Sequence, residues 1–289
     1  MEIIDLHTHT TASDGSLNPA ELVEKAREAG LRALAITDHD TTDGLDRALE
    51  AGRRLGLEVV PGVEISCDGG FAGGMHLVGL FIDHHHPELL AGLKRLQRAR
   101  AERNPKIVAN FQRLGIDLSL EEVAALAGGE IISRAHFAQA LVQRGLVGNR
   151  AEAFNRYLAA GKPAYAPKFR YPPDQAIALI RRAGGVPVLA HPGLLPLAKP
   201  QLEPLLAGLK EHGLEGVEAL YSEHDTALRR HLTSLAARLE LVISGGSDFH
   251  GRPKPDVRLG TGLGDLRVPA TLLTALRQRA QKIRREKQI

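Results

Sequence analysis

The sequence predicts an α/β fold: a seven-stranded (β/α)7 barrel that carries a helical insertion. Three observations predict it. Short apolar, β-branched runs recur, and most are followed by a helix-like segment. A histidine, aspartate or glutamate stands at the end of nearly every run. The middle of the chain, from about 88 to 183, shows helical periodicity and no convincing parallel-strand unit. Repeated strand–helix alternation argues for a parallel sheet. Polar residues at almost every strand end suit a barrel, whose sites gather on that face. A doubly wound open sheet is the alternative, and it would focus them at one switch point.

Residues 2–7 (EIIDLH) are the first run, and Asn18 followed by Pro19 opens a helix that ends at Gly30. Residues 31–37 (LRALAIT) are the second strand, followed by a helix around GLDRALEAGRRLG. The third and fourth are 57–65 (LEVVPGVEI) and 75–82 (MHLVGLFI). The fifth to seventh are 186–191 (VPVLAH), 216–221 (GVEALY) and 241–246 (LVISGG). Residues 100–165 are expected to form a helical cap, inserted into a barrel made of 1–99 and 166–289. A proline-rich stretch, 162–173, leads back from it. The basic segment 277–288 reads as a solvated last helix.

With 43% hydrophobic and 25% charged residues, the chain has an ordinary soluble composition. Trp is absent and aromatics are 4%, so the core must be aliphatic. A formal charge of +3 permits an anionic substrate without demanding a nucleic-acid surface. One cysteine, Cys67, allows no intrachain disulfide and fits a reducing cytoplasm. It reads as a small buried residue rather than a ligand. No signal peptide or membrane span is read, and no obligate protein partner is inferred.

Nine residues have the chemistry of metal ligands: His7, His9, Asp14, His39, Glu64, His76, His191, Asp248 and His250. They sit in DLHTHT, ASDG, ITDHD, GVEIS, MHLVG, LAHPG and GSDFHG. Six imidazoles and three carboxylates, without a thiolate, suit Mn, Fe or Zn in a catalytic site better than a structural zinc site. His7 and His9 are two apart, as are Asp248 and His250, so each pair can face one site. A carboxylate can bridge two cations, which makes Glu64 the candidate bridge. The tract His84, His85 and His86 precedes Pro87 and reads as an exposed loop.

These motifs resemble the polymerase-and-histidinol-phosphatase (PHP) family, over about 1–90 and 185–262 and in the family's order. The resemblance implies a distorted seven-stranded barrel and two to three divalent cations, manganese foremost. It places His7, His9, Glu64 and Asp248 on the first cation and Glu64, His76 and His191 on the second. Asp14, His39 and His250 fall on the third, and many members have histidine where this chain has Asp14. The insertion and the segment ISRAHFAQAL resemble the subgroup of nucleotide 3′,5′-bisphosphate phosphatases and 5′→3′ oligonucleotide hydrolases. The implied reaction is hydrolysis by a cation-activated water, with no protein nucleophile. Asp40, beside His39, is then a candidate proton relay or a helix N-cap.

Further cations are needed to bind such a substrate. Arg134 and His136 are first choices for a second phosphate; Arg103, Asn104, Lys168, Arg170 and His224 are further candidates. Phe169 or Tyr165 could stack on a base. The leading expectation is removal of the 3′-phosphate from nucleoside 3′,5′-bisphosphates. Alternatives are 5′→3′ trimming of short oligonucleotides, histidinol-phosphate hydrolysis, and a metal-stabilised module without catalysis.

Overall fold

The computed structural model describes residues 2–71, 74–129 and 131–286. One seven-stranded sheet runs in the order β1 (Ile4–Asp5), β2 (Ala33–Ile36), β3 (Glu58–Cys67), β4 (Met75–Leu80), β5 (Val186–Leu189), β6 (Gly216–Tyr221) and β7 (Val242–Gly246). It curls until its ends meet: the Leu6 amide donates to Gly245 O over 3.1 Å and the Asp248 amide to His7 O over 2.8 Å. The approach is close enough that a Cβ on Gly246 would collide with His7. The result is a nearly closed barrel, as the strand pattern predicts.

The parallel sheet expected from the sequence needs one correction. β4 is antiparallel to both β3 and β5, and the remaining sequential pairs are parallel. Only residues 68–74 separate β3 from β4. A parallel return needs a crossover of about a dozen residues or more, so a link this short can only turn back. β4 therefore descends from the mouth of the barrel. His76, near its start, reaches the same mouth as residues at the finish of the parallel strands.

Around the strands lie α1 (Pro19–Glu28), α2 (Leu45–Leu55), α7 (Pro173–Arg182), α8 (Leu202–Glu211), α9 (Thr226–Arg238) and α10 (Thr271–Glu286). Asn18 caps α1 in a reciprocal box with Glu21, and Pro19 follows at the first turn. Alternation along β2 divides the core. Leu34 and Ile36 join the helices, whereas Ala33 and Ala35 pack with Val60, Val78, Val188 and one face of α10. α10 is thus more than a solvated tail: Leu273, Leu276, Ala280 and Ile283 are buried. Residues 287 and 288 of that segment lie outside the described residues.

α3 (Pro87–Arg113) is the long element. It begins beyond the lower end of β4 and climbs past the mouth, at 1.5 Å per residue a path of about 40 Å. The boundary expected between residues 99 and 100 falls inside it, since nothing interrupts the helix there. Above the mouth, the end of α3, α4 (Leu120–Ala124), α5 (Arg134–Gln143), α6 (Arg150–Ala153) and a π-helical turn (Phe154–Leu158) enclose their own core. That core runs from Ile107 to Ala166 around Phe111, Phe137 and Leu141.

Candidate metal centre and its cationic wall

Glu64 lies within β3, and its buried carboxylate is surrounded by five imidazoles. Oε2 is 3.2 Å from His7 Nε2, 3.2 Å from His9 Nε2 and 3.0 Å from His39 Nδ1. Oε1 is 2.8 Å from His76 Nδ1 and 2.9 Å from His191 Nε2. The two oxygens thus serve two halves of one cluster, the geometry of a bridge. Asp248 Oδ1 stands 3.3 Å from His9 Nε2 and 3.7 Å from His7 Nε2. Asp14 Oδ1 stands 3.3 Å from His250 Nε2 and 4.0 Å from His39 Nε2. All nine candidates meet at the mouth. Their ligand atoms form four overlapping groups, each within 4.8 Å: His7, His9 and Asp248; His7, Glu64 and His191; His39, Glu64 and His76; and His9, Asp14, His39 and His250.

Several of these atoms are buried without a hydrogen-bond partner: His7 Nε2, His9 Nε2, His39 Nδ1, His76 Nδ1 and Glu64 Oε2. Buried polar atoms seldom remain unsatisfied, and here they point into one shared space. The nitrogen and oxygen donor set fits divalent cations there. Burial pushes His76 and His250 down to about 4, so both rings offer lone pairs near neutral pH. Burial also opposes charge on His7, but Glu218, Glu64 and Asp248 override it and hold the ring well above its ordinary value.

The backbone is bent to serve this arrangement. His191 and Asp248, just past β5 and β7, have φ of 30° and 57°. Non-glycine residues avoid this region unless their surroundings hold them there. Glu218 supplies part of that hold. Its Oε1 is 2.9 Å from His7 Nδ1, and its Oε2 accepts the His191 amide over 2.7 Å. Asp5 accepts from Ser247 N and Oγ and from Gly260 N, tying β1 to the loop that carries Asp248. Asp38 accepts from Thr10 N, Thr10 Oγ1 and Ser13 Oγ beneath Asp14. The sequence reading missed all three supports. One signal for Glu218 was available: GVE at 216–218 repeats GVE at 62–64.

A cavity of about 320 Å³ opens above the cluster. Its lining includes Arg100, Arg103, Arg134, Lys168 and Arg170. Of these, only Arg100 and Lys168 have a carboxylate partner among the described residues, and they share Asp40. Arg103 donates to the neutral Asn104 side chain and Arg134 to Leu158 O. Burial, then Arg100 and Arg134, pushes Arg103 down to about 8. A guanidinium keeps its proton in proteins, so this crowding is a standing demand for an anion. Arg150, Lys254 and Phe154 also line the cavity and were not foreseen.

Other sequence candidates have other surroundings. Asp40 is held as a carboxylate: burial works against its charge, yet Lys168 and Arg100 hold it far below the carboxylate range. It is not a helix cap, since α2 starts after Gly44. It anchors those cations and accepts from Ser66 N over 2.9 Å. His136 closes the N-terminal box of α5 and lines a different cavity. The Asn104 amide donates to Ile132 O, away from the cluster. His224 Nδ1 meets Ala219 O while Nε2 accepts the Gly193 amide, so it braces the loop after His191. Phe169 is covered by Arg95, 3.9 Å from its ring centre, and Tyr165 is absent from the lining. His84 is mostly covered, 2.9 Å from Asp46, and only His85 is well exposed.

The class this mouth defines is the metal-dependent hydrolases of phosphoric esters. A family model described as the PHP domain matches residues 5–162, more than half of the chain. The 5′-3′ exoribonuclease Rnm of Escherichia coli K12 is 40% identical over 263 residues, covering 90% of this chain and 89% of its own. A 3′,5′-nucleoside bisphosphate phosphatase of Chromobacterium violaceum is 37% identical, covering 86% of this chain and 88% of its own. A solved amidohydrolase from Chromobacterium violaceum, with bound sulfate and no metal, superposes with a TM-score of 0.87 at 34% identity, covering 96% of each chain. The chain belongs to the PHP domain family.

Proposed function

We propose that this protein removes the 3′-phosphate from nucleoside 3′,5′-bisphosphates, such as adenosine 3′,5′-bisphosphate, using two to three divalent cations, manganese foremost. The observation that carries this reading is the pairing, in one cavity, of the His/carboxylate cluster with a wall of buried and half-buried cations. One phosphate sits on the cluster and the other on the wall. All nine candidates are assigned as cation ligands, with Glu64 bridging. Bound there, the cations supply water activation and neutralise charge on the phosphate oxygens. Arg103, Arg134, Arg170 and Lys168 bind the 5′-phosphate and orient the ester across Glu64. Phe154 and Leu194 offer apolar surface to the nucleoside and exclude water. Residues 100–165 act as the cap that delivers this wall. The name and identity of the Chromobacterium phosphatase support the reading. The buried lone Cys67 suits the cytoplasm. Among the described residues no helix is long and apolar enough to cross a membrane.

Phosphate release from adenosine 3′,5′-bisphosphate and from adenosine 3′-monophosphate tests this. The bisphosphate should react with a kcat/KM at least a hundredfold higher. Equal rates would sink the two-phosphate reading. The likeness to the Escherichia coli exoribonuclease favours a second activity, 5′→3′ trimming of oligonucleotides.

A further inference from the structure

A second cavity, of about 400 Å³, adjoins the first. Asp14, Ala135 and Arg150 line both, so the two meet at the cluster. Each is within the roughly 300–1,000 Å³ of small-molecule sites. The second has a different character. His136, Gln139 and Gln143 project into it from α5, spaced three and four residues apart along one face. That face is the polar stripe of a helix whose Phe137, Ala138 and Leu141 are buried. His136 accepts the Ser133 amide on Nδ1, which leaves the proton of its neutral ring on Nε2. The exposed Arg252 lines the same cavity. The side chains of Gln139, Gln143 and Arg252 make no hydrogen bond or ion pair among the described residues. Amide, imidazole and guanidinium donors without protein partners suit a ribose, a base edge and a phosphate.

We infer that this second cavity receives the next nucleoside of an oligonucleotide, the one esterified to the phosphate that lies on the cluster. The inference rests on the proposed phosphatase site and extends it. In both reactions water adds to phosphorus, the bond from phosphorus to O3′ of the first nucleotide breaks, and O3′ takes a proton. With a bisphosphate, inorganic phosphate departs. With an oligonucleotide, the same phosphate leaves as the 5′-phosphate of the next nucleoside. The shortened chain then carries the 5′-phosphate that the cationic wall requires for another round. One cavity therefore serves the shared bond and the other decides how much substrate can hang from it.

The test uses Mn-loaded full-length protein, adenosine 3′,5′-bisphosphate, and a 5′-phosphorylated RNA tetramer. The variants are Gln139→Trp, which fills the cavity, and Arg252→Glu, which reverses its charge. Each should lower kcat/KM on the tetramer at least tenfold and leave the bisphosphate within twofold of wild type, which also reports an intact fold. Equal losses on both substrates, or no loss on either, would overturn the inference. Wild-type protein that hydrolyses the bisphosphate but not the tetramer would overturn it and leave the phosphatase reading standing. Wild-type cleavage of the tetramer alone, lost in both variants, would uphold the second cavity and sink the phosphatase reading.

Discussion

Ser133 donates its hydroxyl to Asp14 Oδ2 over 3.1 Å, joining the N-cap residue of α5 to the barrel mouth. Ser133 Oγ also accepts the Ala135 amide and caps α5. Ser133→Ala should therefore act twice. Loss of the cap costs about 1 kcal/mol, a fall of about 2 °C in Tm for a chain of this size. Turnover should fall further than that implies, because Asp14 and Arg134 lose their shared reference point. A variant with lower Tm and unchanged kcat/KM would show that the joint is structural alone.

Glu218 holds His7 and the His191 amide at once. Carboxylates that orient ligating histidines are worth about 10–100-fold in metal affinity or activity. Glu218→Gln should raise the Mn concentration needed for half-maximal turnover by that order, with much of kcat recovered at saturation. An unchanged Mn dependence would remove Glu218 from the site.

Lys168 gives the wall a pH dependence. Burial, more than the neighbouring arginines, pushes it down to about 7, although Asp40 pulls the other way. A bound phosphate favours the ammonium. The inhibition constant for adenosine 5′-monophosphate should then rise as pH climbs above 7, approaching tenfold per unit. Lys168→Arg, which stays charged, should flatten the curve. The sign for stability is the opposite. The unfolded chain holds this proton up to about pH 10.4 and the fold releases it near 7, so this group adds stability as pH rises between them.

His9 separates a catalytic role from a structural one. It meets Glu64 and Asp248 and has no exposed side-chain surface. His9→Ala should lower turnover at least a thousandfold while the protein still melts cooperatively. Comparable loss of fold and activity would favour a metal-stabilised module.

The candidate ligands were legible because each lies in a short motif and most stand at or near a strand end, where a lone histidine or acid has few other uses. Their supports were not. Glu218 sits mid-strand among apolar neighbours, and an acid there reads equally as an ion-pair partner until His7 is seen beside it. Arg100 was passed over for Arg103, three residues on, although both reach the cavity. The direction of β4 was hidden for another reason. A strand buried on both faces shows no alternation, so MHLVGL fits either direction, and only the short link before it distinguishes them.

The reversed strand also turns α3 into a measuring rod. Because β4 leaves the chain at the foot of the barrel, the polypeptide must climb back. The fourteen residues from Pro87 to Arg100 then set the height at which Arg100 meets Asp40. Adding or removing one residue there would rotate the arginines by about 100° about the helix axis. A whole turn would restore their facing but displace them by about 5.4 Å. Loops at the mouth can vary in length without such penalty. This stem cannot, so homologues that share the substrate should share its length even where its exposed residues differ.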